Sequence, residues 1–401
     1  MTVREYLNSV FIRSPGEIPA LTGFRGVAIF MLYYVHLFRN YEAQIIEKNF
    51  FLSTFLHNGS ASIDMFFVLS GFLIAGPLLK ELRKSGTINL KAFYIKRSLR
   101  IFPPYYIFLA LQFFLIIPFF ARGGGEFGEM LMSTRWRIVF DLTYISNYYP
   151  GTLFHGWSLS LEEQFYMIFP LFLMLVFHRI PERFQLPSLW VLVLLPMAYR
   201  LYILPAIAAQ PHPSGPYQAW IYFPFHGHID SVIIGIITAY IYQFRRHWVD
   251  YVYDRPALKS ALLGASVILF FAYSIFVFEY LPTIEGMVVR FPVFSILSAL
   301  IMILSIPEGG WVNRVLSWKW FIPAAKLSYC AYIIHIVVMI PLSRKIFGGG
   351  ELHYYHIFLW FIPIGLVIFF FAYLFHLVAE RPFMIWKDRY TDMLKARRAA
   401  A

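Results

Sequence analysis

Polar residues are sparse along most of this 401-residue chain, and apolar positions run in blocks close to the ~20 residues that a helix needs to cross a hydrocarbon core. Ten blocks meet that length, near 20–39, 60–80, 101–121, 158–177, 188–208, 224–243, 260–280, 288–306, 321–341 and 356–379. The pattern predicts an all-α polytopic membrane protein of about ten transmembrane helices. Only a short loop around Pro282 to Gly286 separates the seventh block from the eighth. No internal repeat argues for an inverted duplication of the transporter kind. No low-complexity linker or separate soluble domain interrupts the series.

Composition agrees. The chain is 59% hydrophobic and 14% charged, against about 25% charged in soluble domains. Its net charge of +12 sits in short segments between apolar blocks, which excludes nucleic acid as the partner and points to membrane sidedness. Alternate connections, from residues 1–19 to the tail beginning at Arg381, hold 23 of the 34 lysines and arginines. The opposite set holds nine: Arg39, Lys48, Arg122, Arg135, Arg137, Arg200, Arg290, Arg344 and Lys345. Basic loops stay inside, so both termini are expected in the cytoplasm, as an N-terminal segment 1–19 and a basic tail 384–401. Residues 1–20 lack a compact apolar core with a small-residue cleavage site, so no removable signal peptide is expected. The single cysteine, Cys330, lies in an apolar block; it is read as a structural thiol, with no disulfide framework and no metal site.

Chemistry is expected where polar groups enter the bilayer. Arg25 and His36 both lie in the first block, eleven residues and roughly 16 Å apart on one helical face. An intramembrane arginine costs ~3 kcal/mol or more unless it faces protein or water, so that stripe is expected to line a cavity. Asp64 enters the second block at a depth close to His36 and is a candidate to fix its tautomer. Ser70-Gly71, further in, is read as a close helix-packing site. In the segment KRSLR, Arg97 and Arg100 are helix neighbours beside Lys96, a geometry suited to bidentate phosphate binding from the cytosol. Glu162 and Glu163 follow Trp157 in the fourth block and point about 100° apart, so at most one faces a given cavity. His226 and Asp230 are spaced i,i+4 with His228 between them, a spacing that can bind a metal and is equally open to acceptor contacts. His335 and the His376/Glu380 pair are read as structural. The longest outer connection, 121–156, carries Gly123-Gly124-Gly125, and its second half could fold over a site.

The ordered segments LTGFRGVAIFMLYYVH, SIDMFFVLSGFLI, FYIKRSLRIFPPYY, WSLSLEEQFYMIFP, KLSYCAYIIH and ERPF resemble the membrane acyltransferase 3 family, O-acyltransferases that modify cell-surface carbohydrates and some other acceptors. The resemblance runs from residue 20 to about 383. It implies ten core helices, cytoplasmic acyl-CoA as the donor, and a hydroxyl acceptor presented from the other side of a bacterial inner membrane. It also implies a catalytic role for His36 with Arg25 of the same motif, a matching acid at Asp64, and coenzyme A handling by Arg97 and Arg100. Glu162 matches the acid of the W-S-L-x-x-E motif, and Glu380 the acid before Arg381-Pro382. Two positions depart from the pattern: His228 stands where many members have arginine, and Thr22 where aspartate is common. Some members append an external SGNH-type domain; with only about twenty residues after Arg381, direct transfer to the acceptor is expected.

The residues and the resemblance meet in one mechanism. Arg97, Arg100 and Lys96 hold the phosphates of acyl-CoA, with acetyl as the default acyl group. His36, oriented by Asp64 or another acid, takes the hydroxyl proton, and Arg25 is a candidate donor to the oxyanion. An acyl-histidine intermediate is a variant. Trp157, Glu162, His226, His228, Asp230 and Glu380 are candidates for the acceptor site or its support. The acceptor is a carbohydrate or lipid-linked carbohydrate. No permanent cofactor or metal is expected, acyl-CoA being a co-substrate. The rival reading is a transporter or flippase of a lipid-linked glycan, its charges lining the path.

Overall fold

The computed structural model describes residues 2–47 and 49–400; Lys48, counted above among the outer basic residues, lies outside them. Among the described residues the fold is all-α, with nine helices long and apolar enough to cross a membrane and one shorter apolar helix, Asp230–Phe244. We number ten helices of the bundle α1 (Pro19–Tyr41), α2 (Ala61–Ser85), α3 (Leu90–Leu111), α4 (Gly156–Leu175), α5 (Glu182–Ala208), α6 (Asp230–Phe244), α7 (Pro256–Phe276), α8 (Arg290–Leu304), α9 (Phe321–Phe347) and α10 (Tyr354–Phe375).

Three boundaries differ from expectation for local reasons. Asn89 caps α3 through a hydrogen bond from the Ala92 amide at 2.9 Å, so the helix starts at Leu90 and includes Lys96, Arg97 and Arg100. The sixth block does not form one helix from residue 224. A single turn, Phe225–His228, precedes α6, because Arg200 Nη1 takes the Gly227 carbonyl at 2.7 Å. At the other end α10 runs through a π turn, His376–Glu380, into the helix Arg381–Ala400, so the basic tail continues the last span.

Packing puts α1 in the middle, against α2, α9 and α10, and α2 between α1, α4, α6 and α8. The closest approach is α2 on α6. A Cβ on Gly71 would lie 2.2 Å from the Val232 carbonyl oxygen, and one on Gly235 2.2 Å from that of Val68. Only hydrogen fits at either position, as small residues at membrane helix crossings permit. Arg200 and Arg290 are fully buried within the bundle, so two of the nine basic residues assigned to the outer set are not loop charges. The N-terminal segment is tied to the bundle by Lys326, whose ammonium donates to the Ser9 carbonyl at 3.1 Å and to Ser14 Oγ at 3.0 Å.

The outer connection folds back onto the bundle. Asp141 Oδ2 accepts from the Thr152 amide (2.6 Å), Thr152 Oγ1 (2.9 Å) and the Leu153 amide (3.2 Å). This clamp sets down the next two residues, Phe154 and His155, beside His36 and His335. Burial pushes the Asp141 carboxyl up to about 6 in spite of those three bonds.

Candidate active site

Where residues 5–18 meet the C-terminal helix, a cavity of about 980 Å³ opens, with Arg13, Arg25, Arg100, Lys326, Arg381 and Lys387 on its walls. A second cavity, about 550 Å³, is lined by Asn89, Lys96, Arg97, Arg100, Lys387 and Lys395. Both meet a third, about 240 Å³, at Leu73 and Arg100. This narrower space lies between α1, α2, α3, α4 and α9, with Arg25, Arg97, Arg100, Glu162, Tyr166 and Tyr332 among its walls. Three guanidinium groups thus face it with one carboxylate, a balance that favours an anion at the mouth.

Local bonds set these side chains. The Arg97 guanidinium lies 3.7 Å from the ring centre of Tyr166, a cation–π contact. The Tyr166 hydroxyl donates to Ser70 Oγ at 3.2 Å, and Ser70 donates in turn to Glu162. Ser70 therefore belongs to the cavity wall, while Gly71 alone serves helix packing. Of the two adjacent acids, Glu162 is the one that lines the cavity. At the inner end the Tyr332 hydroxyl is hydrogen-bonded to Ser158 and to the His155 carbonyl, the latter at 3.2 Å.

Beyond Tyr332 lie three imidazoles. His36 and His335 have ring centres 5.0 Å apart, and His335 and His155 4.6 Å. Phe154 closes on His36 at 6.4 Å. Arg25 stays apart, in the narrow cavity with Arg97, Arg100 and Glu162, so the two polar groups of α1 do not share one pocket.

Asp64 is not beside His36. Its Oδ1 accepts from His228 Nε2 at 2.9 Å and from Ser231 Oγ at 2.7 Å, and Arg290 Nη1 stands 4.0 Å from Oδ2. His228 donates from Nε2 while its Nδ1 faces the Tyr222 carbonyl at 2.9 Å, and Trp157 stacks over it, 6.1 Å between ring centres. Thus Asp64, Trp157 and His228 assemble together, but on the α6–α8 side. Arg290 extends the network: it donates to Asn58 Oδ1 at 3.0 Å and Ser60 Oγ at 2.6 Å, and lies 3.6 Å from Glu279. Glu279 also pairs with Arg39 at 2.6 Å. Burial would raise the Glu279 carboxyl, but Arg39 and Arg290 outweigh it and hold it below its usual range.

His226 and Asp230 part company. Asp230 is buried against Arg200 Nη2 at 2.7 Å. His226 is exposed and packs on Tyr148 and Tyr199, because the helix breaks between them. Glu380 accepts from Cys330 Sγ at 3.1 Å and pairs with His376 Nδ1 at 2.7 Å. These three donors converge within 4.8 Å, a set that by type could hold a metal, yet each already has a partner within the set. His155, Tyr332 and Glu279 were not singled out from the sequence, Ser70 was read only for helix packing, and Arg290 only as a charge of the outer set. Their roles come from helices distant along the chain, and no local spacing marks them.

A family model described as an acyltransferase domain, Acyl_transf_3, matches residues 18–381. The chain belongs to this acyltransferase family. Among curated relatives, a Staphylococcus aureus (strain COL) protein provisionally named an O-acetyltransferase is 26% identical over 91% of this chain and 57% of its own length. The peptidoglycan O-acetyltransferase OatA of Listeria monocytogenes is 24% identical, covering 80% of this chain and 49% of its own. The O-acetyltransferase OatA of S. aureus strain NCTC 8325 is 23% identical, over 85% and 53%. The chain therefore spans about half the length of the curated relatives it matches. No solved structure matches it significantly. Within this acyltransferase family frame, five of the six quoted motifs, on α1, α2, α3, α4 and α9, contribute walls to the narrow cavity, and the sixth, ERPF, lies where the π turn after α10 meets the C-terminal helix.

Proposed function

We propose that this chain is a membrane O-acetyltransferase. It takes an acetyl group from acetyl-CoA at the wide cavity and gives it to a hydroxyl of a bacterial surface carbohydrate, peptidoglycan being the acceptor that the name of one relative suggests. The observation that carries this reading is the narrow cavity: Arg25, Arg97 and Arg100 line it, Tyr332 stands at its inner end, and the His335 ring, 5.7 Å from that of Tyr332, lies 5.0 Å from that of His36. Phosphates suit the guanidinium-lined mouth, and a thin thioester arm suits the narrow cavity. The excess of Lys and Arg on the connections that include both termini supports a cytoplasmic mouth.

In this mechanism His36 removes the proton from the acceptor hydroxyl as the oxygen attacks the thioester carbonyl carbon. The C–S bond then breaks, the ester forms, and the imidazolium returns its proton to the departing thiolate as free coenzyme A. Asp64 holds the wall opposite through His228 and Arg290. Arg25, beside Arg97, acts on the donor rather than on the oxyanion.

The test uses the purified full chain in sealed, oriented vesicles with radiolabelled acetyl-CoA and a peptidoglycan fragment. Acetyl-CoA should serve only from the face carrying the termini. His36→Ala should lower transfer by ~10²–10⁴-fold while leaving acetyl-CoA affinity unchanged. Transfer by His36→Ala at more than about a tenth of the wild-type rate would remove His36 as general base.

A further inference from the structure

We infer that His335 is the positioning residue for His36, filling the role that a carboxylate has beside many catalytic histidines. The inference rests on the reading of His36 as the base. A histidine that accepts a proton on one ring nitrogen needs an acceptor at the other, to fix its tautomer and to hold the second N–H once it is charged. Asp64 is engaged by His228 and Ser231. The ring nitrogens of His36 meet no hydrogen-bond partner among the described residues; the aromatic neighbours of the ring are Phe154 and His335.

The tautomer of His335 follows from its own contacts. Its Nδ1 lies 2.6 Å from the Tyr332 carbonyl oxygen. A carbonyl can only accept, so Nδ1 carries the proton and Nε2 is left as a lone pair. That Nε2 is buried and has no partner among the described residues. Such an orphan acceptor costs about 1–3 kcal/mol until a donor reaches it. Its ring centre is 5.0 Å from that of His36. Two imidazoles joined by an N–H···N bond of about 2.9 Å have centres roughly 5 Å apart, so the two rings already stand at the separation that a bond from a His36 N–H to this nitrogen requires. The other nitrogen of His36 is then free for the acceptor hydroxyl. His155 backs the far face of His335, anchored through Nε2 to the Ile333 carbonyl at 3.1 Å, and keeps that ring from turning away. A histidine present only for packing would be replaceable by a ring of similar shape.

The experiment compares His335→Phe, His335→Gln and His335→Asn with wild type and His36→Ala in the full chain, reading kcat, acetyl-CoA KM and thermal midpoint. Gln can place its carbonyl oxygen where Nε2 stands; Asn reaches only the Nδ1 position. We expect His335→Phe to lower kcat 10- to 100-fold with KM unchanged, and Gln to recover at least several-fold over Asn. A His335→Phe protein within twofold of wild-type kcat, while His36→Ala is inactive, would overturn the role of His335 and leave that of His36 intact. If His335→Phe does not fold, equal rates for Gln and Asn would overturn it instead. Full activity in His36→Ala would remove the underlying reading itself.

Discussion

His228 Nε2 donates to Asp64 Oδ1 at 2.9 Å, joining the start of α2 to the turn before α6 across 164 positions of sequence. Both side chains are fully buried. The bond carries the acid away from His36 and into a network with Ser231 and Arg290, so two groups at similar depth in adjacent spans serve different walls of the bundle.

Asp64→Ala should therefore act first on stability. It strips His228 Nε2 and Ser231 of their acceptor and removes the carboxylate 4.0 Å from Arg290, and removing one partner of a buried pair costs about 3–5 kcal/mol. Asp64→Asn, which keeps an accepting oxygen, should be milder. Thermal melts in detergent check this. Should Asp64→Ala melt like wild type yet lose all transfer, the acid acts on the reaction directly.

Arg97→Ala and Arg100→Ala should each weaken acetyl-CoA binding, with a loss of a few kcal/mol in the double variant, the scale of two charge-assisted bonds. Lysine should restore only part, more at 100 than at 97, because Arg97 also lies flat on Tyr166 and lysine loses that stacked geometry. Calorimetry with the double alanine protein is the check. Unchanged affinity would assign both arginines to membrane sidedness alone.

Glu279→Gln leaves Arg39 and Arg290 without their shared carboxylate. The loss should be about 3 kcal/mol or more and visible as a lower thermal midpoint. The wild-type carboxyl is held below its usual range. Its stabilising share is thus present above the unfolded value near 4.3 and lost as pH falls through the lower folded value. The midpoint of wild type should drop on acidification through that window more steeply than that of Glu279→Gln.

Asp141 has the opposite sign. Its folded value of about 6 exceeds the unfolded ~3.9, so its contribution is complete below the unfolded value and lost as pH rises toward about 6. Opening of residues 143–155, read by hydrogen exchange corrected for intrinsic rate, should increase by roughly one to two orders of magnitude over that range relative to the Asp141→Asn protein and level off above it. Asp141→Asn should lack that rise and keep only the opposite trend of His155, which burial holds well below the usual imidazole range and which therefore favours opening as pH falls. Parallel pH profiles for wild type and Asp141→Asn would contradict this.

The amino-acid sequence by itself determined the class of protein and the chemistry it carries. Blocks of about twenty apolar residues admit only helices in a bilayer, since every backbone N–H and C=O must be satisfied within the segment. Such blocks are legible without any partner. The family motifs are short and local in the same way. The placement of Arg25 and His36 on one stripe of α1 follows from helical period alone, as does the rule that at most one of Glu162 and Glu163 faces a given cavity. What faces that stripe does not. Helical period states which residues share a face, while the neighbour of that face depends on which helices pack and how closely. Gly71 against Gly235 draws α6 onto α2, which brings His228 to Asp64. Packing of α9 on α1 brings His335 to His36 from nearly 300 positions away. The break between His226 and Asp230 was equally beyond local reading, because the side chain that takes the Gly227 carbonyl belongs to α5. Only the tertiary structure decided who partners whom, because each pairing is the outcome of side-chain fit and hydrogen-bond satisfaction between helices that the chain order leaves unconnected.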